Sequence, residues 1–273
     1  MIHRKAIPNR FSDKVAIVTG GSAGIGRATV EELCREGASV AFTGLESDQG
    51  AEAERELKRV GWKAFFLHGD MAEDVFATRI VKETVDRFGR VDFLVNNAFS
   101  FMAKGKNATV EEWHRVYDVG PIAYARMGSL AAEEMQKVGS GAIVNVSSIS
   151  AFIAQRQRWT YNSAKGAVHV LTKCMALDLA QYHIRVNSVS PGWIWTQEVL
   201  KAANGDREKW DPIWGKFHML ERCGNPVEVA AAILFLLSED ASFITATDLP
   251  VDGGYQGLGS EGLGDDSRFT GSR

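Results

Sequence analysis

Seven short β-rich runs alternate with longer helical patterns along nearly the whole chain, and that alternation leaves few folds open. The runs are "KVAIVTG", "ASVAFTG", "KAFFLHGD", "VDFLVNNA", "GAIVNVSS", "IRVNSVSPG" and "ITATDLPVDGG". Between them, apolar spacing predicts helices over 24–36, 48–60, 74–88, 110–137, 159–181 and 226–237. The early strands are apolar almost throughout, as parallel strands covered on both faces are. Strand–helix alternation with right-handed crossovers gives one doubly wound parallel sheet of about seven strands with helices on both faces. No linker, no 20–50-residue repeat and no low-complexity block divides the 273 residues, so a single domain over 1–273 is expected.

Two segments stand outside the alternation. Residues 193–224, "WIWTQEVLKAANGDREKWDPIWGKFHMLERCG", contain four tryptophans and form a connection too long for a compact α/β unit. Such a connection is usually functional, often a lid. The plainer reading is a pair of small helices packing their aromatics on the body, and both readings can hold. The Gly-rich polar tail, 256–273, is expected to be mobile or to dock on a partner subunit.

The chain is 45% hydrophobic and 24% charged with a formal net charge of -3. Slight acidity speaks against a general nucleic-acid surface, which needs a basic stripe. The longest apolar run, "VAAAILFLL", is about half of the roughly 18 residues a membrane span requires. The N-terminus lacks the apolar core of a signal peptide. Cys34, Cys174 and Cys223 are widely separated and odd in number, and the histidines do not cluster. The expectation is a cytoplasmic protein with no metal site and no disulfide framework.

Two features carry chemistry. After the first predicted strand comes "TGGSAGIGRATVEEL", with Gly20, Gly24 and Gly26. Glycines there allow a tight turn and close approach of backbone to a pyrophosphate, and the following helix N-terminus offers free N–H groups. The second is "RWTYNSAKGAVHVLTK", which sets Tyr161 and Lys165 four residues apart on one helix face. A tyrosine near pKa ~10 is a poor base at neutral pH. A neighbouring ammonium would favour its phenolate and lower that value.

With these motifs in this order, the chain resembles the short-chain dehydrogenase/reductase family, over a core of about 11–255. The G-x-x-x-G-x-G loop runs from Thr19 to Gly26; Asn96, Asn97 and Ala98 match an Asn-Asn-Ala motif; Ser148 stands after the fifth strand, thirteen residues before Tyr161; and Pro191, Gly192, Ile194 and Thr196 match a Pro-Gly-x-Ile-x-Thr segment. The resemblance implies a single NAD(P)-binding, Rossmann-like domain that transfers a hydride between a nicotinamide cofactor and an alcohol or carbonyl. It implies Ser148, Tyr161 and Lys165 as catalytic residues. It places Gly20, Ser22, Gly24, Ile25, Gly26, Asn97, Ile194 and Thr196 around the cofactor, with Asp70 and Met71 at its adenine end. A homotetramer, or a homodimer, is the implied assembly.

The sequence departs from the family pattern twice. Phe99 replaces the glycine that usually closes Asn-Asn-Ala-Gly, and should reshape the pocket beside the nicotinamide. Gly120, followed by Pro121, stands where the family carries a helix-kinking asparagine that holds a relay water. Gly-Pro can also open a helix, so the kink is expected without the amide, and an asparagine at 120 is expected to be tolerated. This loss is the one feature that favours a rival reading: a cofactor-binding sensor or assembly subunit without turnover.

For the cofactor, the end of the second strand reads Gly44, Leu45, Glu46, and Ala23 occupies a loop position that is often basic in NADP users. Nothing basic is placed for a phosphate, so NAD is favoured over NADP, although Glu46 can equally be a solvated residue at a helix start. The substrate pocket should draw on Phe99, Ser148, Ser150, the stretch "AQRQRW" with Arg156 and Arg158, Tyr161, and the aromatic lid with Trp193. Either arginine could contact a hydroxyl-rich or anionic substrate, or be merely solvated. A small cyclic alcohol, sugar or polyol is the expected substrate, and an aromatic or steroid-like alcohol the rival.

Overall fold

The computed structural model describes residues 4–259 and Gly262. Its strands are β1 (Val15–Val18), β2 (Ser39–Gly44), β3 (Ala64–His68), β4 (Phe93–Asn96), β5 (Gly141–Val146), β6 (Ile184–Pro191) and β7 (Asp248–Val251). They form one parallel sheet in the order β3-β2-β1-β4-β5-β6-β7. The helices are α1 (Gly24–Arg35), α2 (Ser47–Arg59), α3 (Asp74–Phe88), α4 (Val110–Tyr117), α5 (Ala123–Val138), α6 (Trp159–Leu179), α7 (Gln197–Ala202), α8 (Arg207–Gly215) and α9 (Pro226–Leu237). This is the doubly wound, Rossmann-like fold that the alternation predicts.

The continuous apolar runs have a simple cause. Successive side chains of a strand point to opposite faces. In β1, Ala16 and Val18 enter a core with α1, α2 and α9, whereas Ile17 enters a second core with α3, α5 and α6. The same split divides Val40 and Phe42 from Ala41, and Ala142 and Val144 from Ile143. Neither face meets water, and the polar Thr43 and Asn145 toward the strand ends are buried with hydrogen-bond partners. Each fully buried Val, Leu or Ile contributes about 1.5–3 kcal/mol.

The strand order reverses between β1 and β4. Their carboxyl ends therefore splay the following loops apart and open a crevice, the place where open α/β sheets bind ligands.

The helix expected over 110–137 is broken. α4 ends at Tyr117, the turn over Asp118–Ile122 widens to π spacing, and Gly120 takes the non-helical angles φ -88° and ψ -114°. Pro121 lacks the N–H that would continue the ladder, and glycine tolerates the resulting bend. The last strand is shorter than the apolar run 244–254 suggests, because only Asp248–Val251 pairs with β6. Residues 193–224 form the short helices α7 and α8. Most of the tail 256–273 lies outside the described residues. Among those described, no helix is long and apolar enough to cross a membrane.

Candidate active site

The Gly-rich loop is pinned before anything binds. Gly20 and Gly24 take positive φ of 64° and 55°, which glycine adopts without strain. Gly26 is held for a different reason: a Cβ there would lie 2.1 Å from the Gly20 carbonyl oxygen. Asn97 Nδ2 donates to the carbonyls of Thr19 and Gly20, both at 3.0 Å, and so ties the loop to the end of β4. α1 begins at Ala23 with no side-chain cap, which leaves its first N–H groups to a ligand.

Beside the loop lies a cleft of about 400 Å³, lined by Gly20, Gly24, Ile25, Asn97, Phe99, Ser148, Tyr161, Lys165, Ile194 and Thr196 among others. A smaller cavity of about 80 Å³ adjoins it. Phe101, Trp193 and Val199 wall this cavity, and Ser148, Ser150, Gln155, Arg158 and Tyr161 supply its polar atoms. Ser148 caps the turn after β5, its hydroxyl accepting from the Ser150 amide at 3.1 Å. Ser147 turns away and donates to the Lys165 carbonyl at 3.3 Å.

Tyr161 and Lys165 come from the first turns of α6, and both are buried. Lys165 Nζ donates to the Val146 carbonyl at 2.8 Å, and burial pushes its ammonium well below the ordinary lysine value. Burial raises the Tyr161 phenol above its ordinary value, while the Ser148 hydroxyl and the Arg158 charge pull it down. The sequence suggested that Lys165 lowers this phenol. In the ligand-free protein desolvation wins, and Arg158 is the cation that opposes it.

The segment after β6 is held as firmly. The Trp193 amide donates to His218 Nε2, and His218 Nδ1 donates to the Trp214 carbonyl, both at 3.2 Å. Ile194 bridges to Gly224, and the Thr196 hydroxyl caps α7.

The family model described as enoyl-(acyl carrier protein) reductase matches residues 20–256. Cyclopentanol dehydrogenase of Comamonas sp. (strain NCIMB 9872) is 39% identical over 251 residues, which cover 90% of this chain and 98% of that protein. The chain belongs to the short-chain dehydrogenase/reductase family. L-fucose dehydrogenase of Mus musculus is 37% identical, covering 92% of this chain and 91% of its own. Cyclohexanol dehydrogenase of Acinetobacter sp. (strain SE19) is 34% identical, with 92% and 98% covered. This short-chain dehydrogenase/reductase is an oxidoreductase that transfers a hydride between a nicotinamide cofactor and an alcohol or carbonyl carbon. The open Gly20–Gly24 turn and the uncapped start of α1 fit a dinucleotide's pyrophosphate.

Not every residue singled out in the sequence reaches the cleft of this family member. Ser22 faces Gly44, where a Cβ would lie 2.5 Å from its hydroxyl oxygen. Met71 is buried beneath β2, and Asp70 is engaged by Arg115 and by the Ala72 amide. Both stand past the end of β3, two strands from β1. Arg156 is exposed and borders neither cavity, whereas Arg158 borders both. Of the four tryptophans, Trp193 and Trp214 line the cleft; Trp195 packs in a separate small core with Ala203 and Cys223, against which Trp210 rests.

The sequence pointed to the "AQRQRW" stretch, which holds Gln155, and to the tryptophan-rich lid, which holds Trp214, without singling out either residue. It missed Val199 in the pocket and His218 beside it, because their approach depends on how α7 and α8 fold back over the crevice. The expectation for Gly120 also changes. A Cβ there would lie 2.7 Å from Phe99 Cε2, so an asparagine does not fit while that ring stays in place.

Proposed function

We propose that the protein is an NAD-preferring dehydrogenase of small cyclic secondary alcohols, sugars included, with Tyr161 as the acid/base. The observation that carries the substrate class is the cavity beside Tyr161. At about 80 Å³ it is far smaller than the roughly 300–1,000 Å³ of sites for drug-sized ligands. A five- or six-membered ring matches that scale better than a steroid does. Phe101, Trp193 and Val199 would face the ring carbons, and Ser148, Ser150 and Tyr161 offer hydroxyls to its oxygens. The named activities of the cyclopentanol, cyclohexanol and L-fucose dehydrogenases support the same class.

A nicotinamide dinucleotide supplies the hydride chemistry when bound. Gly20, Gly24 and Ile25 would hold its phosphates; Asn97, Ile194 and Thr196 its nicotinamide half; and Ser22, at the β2 end, with Asp70 and Met71 would stand toward its adenosine side. Ser148 orients the carbinol oxygen, and Tyr161 Oη takes the proton as the C–H bond breaks. Arg158 favours the phenolate that must form first. The reading without turnover loses its support, because the Phe99 ring accounts for Gly120. The test is kcat/KM with cyclopentanol, cyclohexanol, L-fucose, benzyl alcohol and a hydroxysteroid. The ring alcohols or the sugar should exceed the steroid at least tenfold; the reverse order would overturn the assignment.

The NAD preference rests on the β2 end. Leu45 is exposed, Glu46 starts α2 without capping it, and the Ser22 hydroxyl fills the space at Gly44. Leu45→Arg with Glu46→Ser should move the NADP/NAD ratio of kcat/KM by roughly 1–3 kcal/mol, the contribution of one charge-assisted contact. Parity of the cofactors in the wild type would refute the preference. A homotetramer is proposed as well: Val170 and Leu177 are exposed apolar residues on α6, 57% and 79% accessible, and sedimentation reads the assembly directly. Cys34, Cys174 and Cys223 are unpaired, which supports a reducing, cytoplasmic setting.

A further inference from the structure

Phe99 lines the cleft, and its ring also packs on the residues behind the catalytic pair. Its centroid lies 3.6 Å from Lys165 Nζ, against 5.7 Å for the Tyr161 ring and 5.9 Å for the Tyr124 ring. It meets Tyr161 edge-on at 5.4 Å and Tyr124 at 6.3 Å. Its far edge fills the space above Gly120, where a Cβ would find Cε2 at 2.7 Å and Cζ at 3.0 Å. The ring is thus fixed from three sides, with its face on a buried ammonium.

We propose that Phe99 is a positioning residue that holds the Lys165 ammonium against its ring face, and that position 120 is a glycine because this ring occupies its side-chain space. A cation over an aromatic face is favoured by the ring quadrupole, most strongly where water is excluded. Lys165 has one hydrogen-bond acceptor among the described residues, the Val146 carbonyl, and of the three rings around its Nζ that of Phe99 is the nearest. Facing it are the phenols of Tyr161 on α6 and Tyr124 on α5, the latter donating to the same Val146 carbonyl at 3.4 Å. The Ser147 hydroxyl is spent on the Lys165 backbone carbonyl, Ser148 stands at the end of β5, and the charge of Arg158 bears on Tyr161. A charged Lys165 favours the Tyr161 phenolate. The two departures from the family pattern are therefore one change, with bulk moved from position 120 to position 99.

The inference rests on the reading of Tyr161 as acid/base, but its test can be read without turnover. The measurement is the 13Cε shift of Lys165 against pH in the ligand-free protein. It is taken for wild type, Phe99→Leu, Gly120→Ala and a chain with 3,5-difluorophenylalanine at 99. Fluorination keeps the ring's shape and weakens its face, so it remains informative if the leucine variant unfolds. Removing or weakening the face disfavours the ammonium, so Lys165 should titrate at lower pH in all three variants. The acid limb of kcat/KM for alcohol oxidation should move to higher pH in parallel, with about a tenfold loss at neutral pH for Phe99→Leu. An unchanged Lys165 titration in the fluorinated chain would overturn the proposal. An unchanged titration in Gly120→Ala would show that the ring does not depend on that space. Activity surviving in Tyr161→Phe would instead refute the acid/base reading and leave the Lys165 result standing.

Discussion

Tyr161→Phe should bind the dinucleotide almost as the wild type does and oxidise a small cyclic alcohol ~10²–10⁴-fold more slowly, the usual cost of losing a general acid/base. The phenol is buried at the first turn of α6, on the wall shared by the 400 Å³ cleft and the 80 Å³ cavity. Removing one oxygen leaves the ring packed edge-on against Phe99 and Phe101, so the fold and the cleft should persist. The pH dependence has a definite sign. Burial keeps the group a neutral phenol in the ligand-free protein, so the base form must be gained by deprotonation. The kcat/KM for oxidation should rise with pH as the phenolate forms and level off above its pKa. Carbonyl reduction needs the phenol and should fall over the same range. Retention of a tenth or more of the wild-type rate in the phenylalanine variant, or a flat pH profile, would remove Tyr161 from this role.

Gly26→Ala should cost at least about 10² in kcat/KM and raise the dinucleotide Kd in step. The added methyl has nowhere to go: it meets the Gly20 carbonyl oxygen at 2.1 Å and Asn97 Nδ2 at 2.5 Å. One of these contacts is backbone and the other is the clamp holding the loop to β4, so neither yields cheaply. The Gly20 turn must move by about 1 Å, and displacements of that size are enough to cost ~10²-fold in a positioned reaction. Trp193 borders the cleft, so quenching of tryptophan fluorescence on titration with NAD gives the Kd directly. A thermal melt checks the fold, since overpacking of this kind costs typically ~1–3 kcal/mol. Wild-type affinity in the variant would show that the Gly20–Gly26 approach has no bearing on the cofactor.

The relation between the two departures, Phe99 and Gly120, could not be read from the chain. They lie twenty-one positions apart on different elements, and each alone looks like the loss of a functional feature. Folded, they meet at van der Waals distance beside Lys165. The same limit applies to the tryptophan-rich segment. Its composition marked it as unusual, but which of its rings reach the cleft depends on how α7 and α8 return across the sheet edge. Likewise, the pair Arg156 and Arg158 is undivided in the sequence, and only the conformation of the loop before α6 puts one outside and the other at the pocket.

What the sequence by itself determined was the wound sheet, the Gly-rich loop after its first strand and the Ser148–Tyr161–Lys165 spacing. Those features are written in local periodicity: alternate strand residues serve two cores, glycines sit where side chains collide, and four residues make one helical turn. The tertiary structure alone decided which way the proton affinities of the site move and what shape its pocket takes. Tyr161 and Lys165 are pushed in opposite directions from their ordinary values by a burial that no window of sequence measures. The small cavity exists because residues from the ends of β4, β5 and β6 and from α7 converge on a single crevice. Burial and convergence are sums over distant segments, and they take values only once the chain has folded.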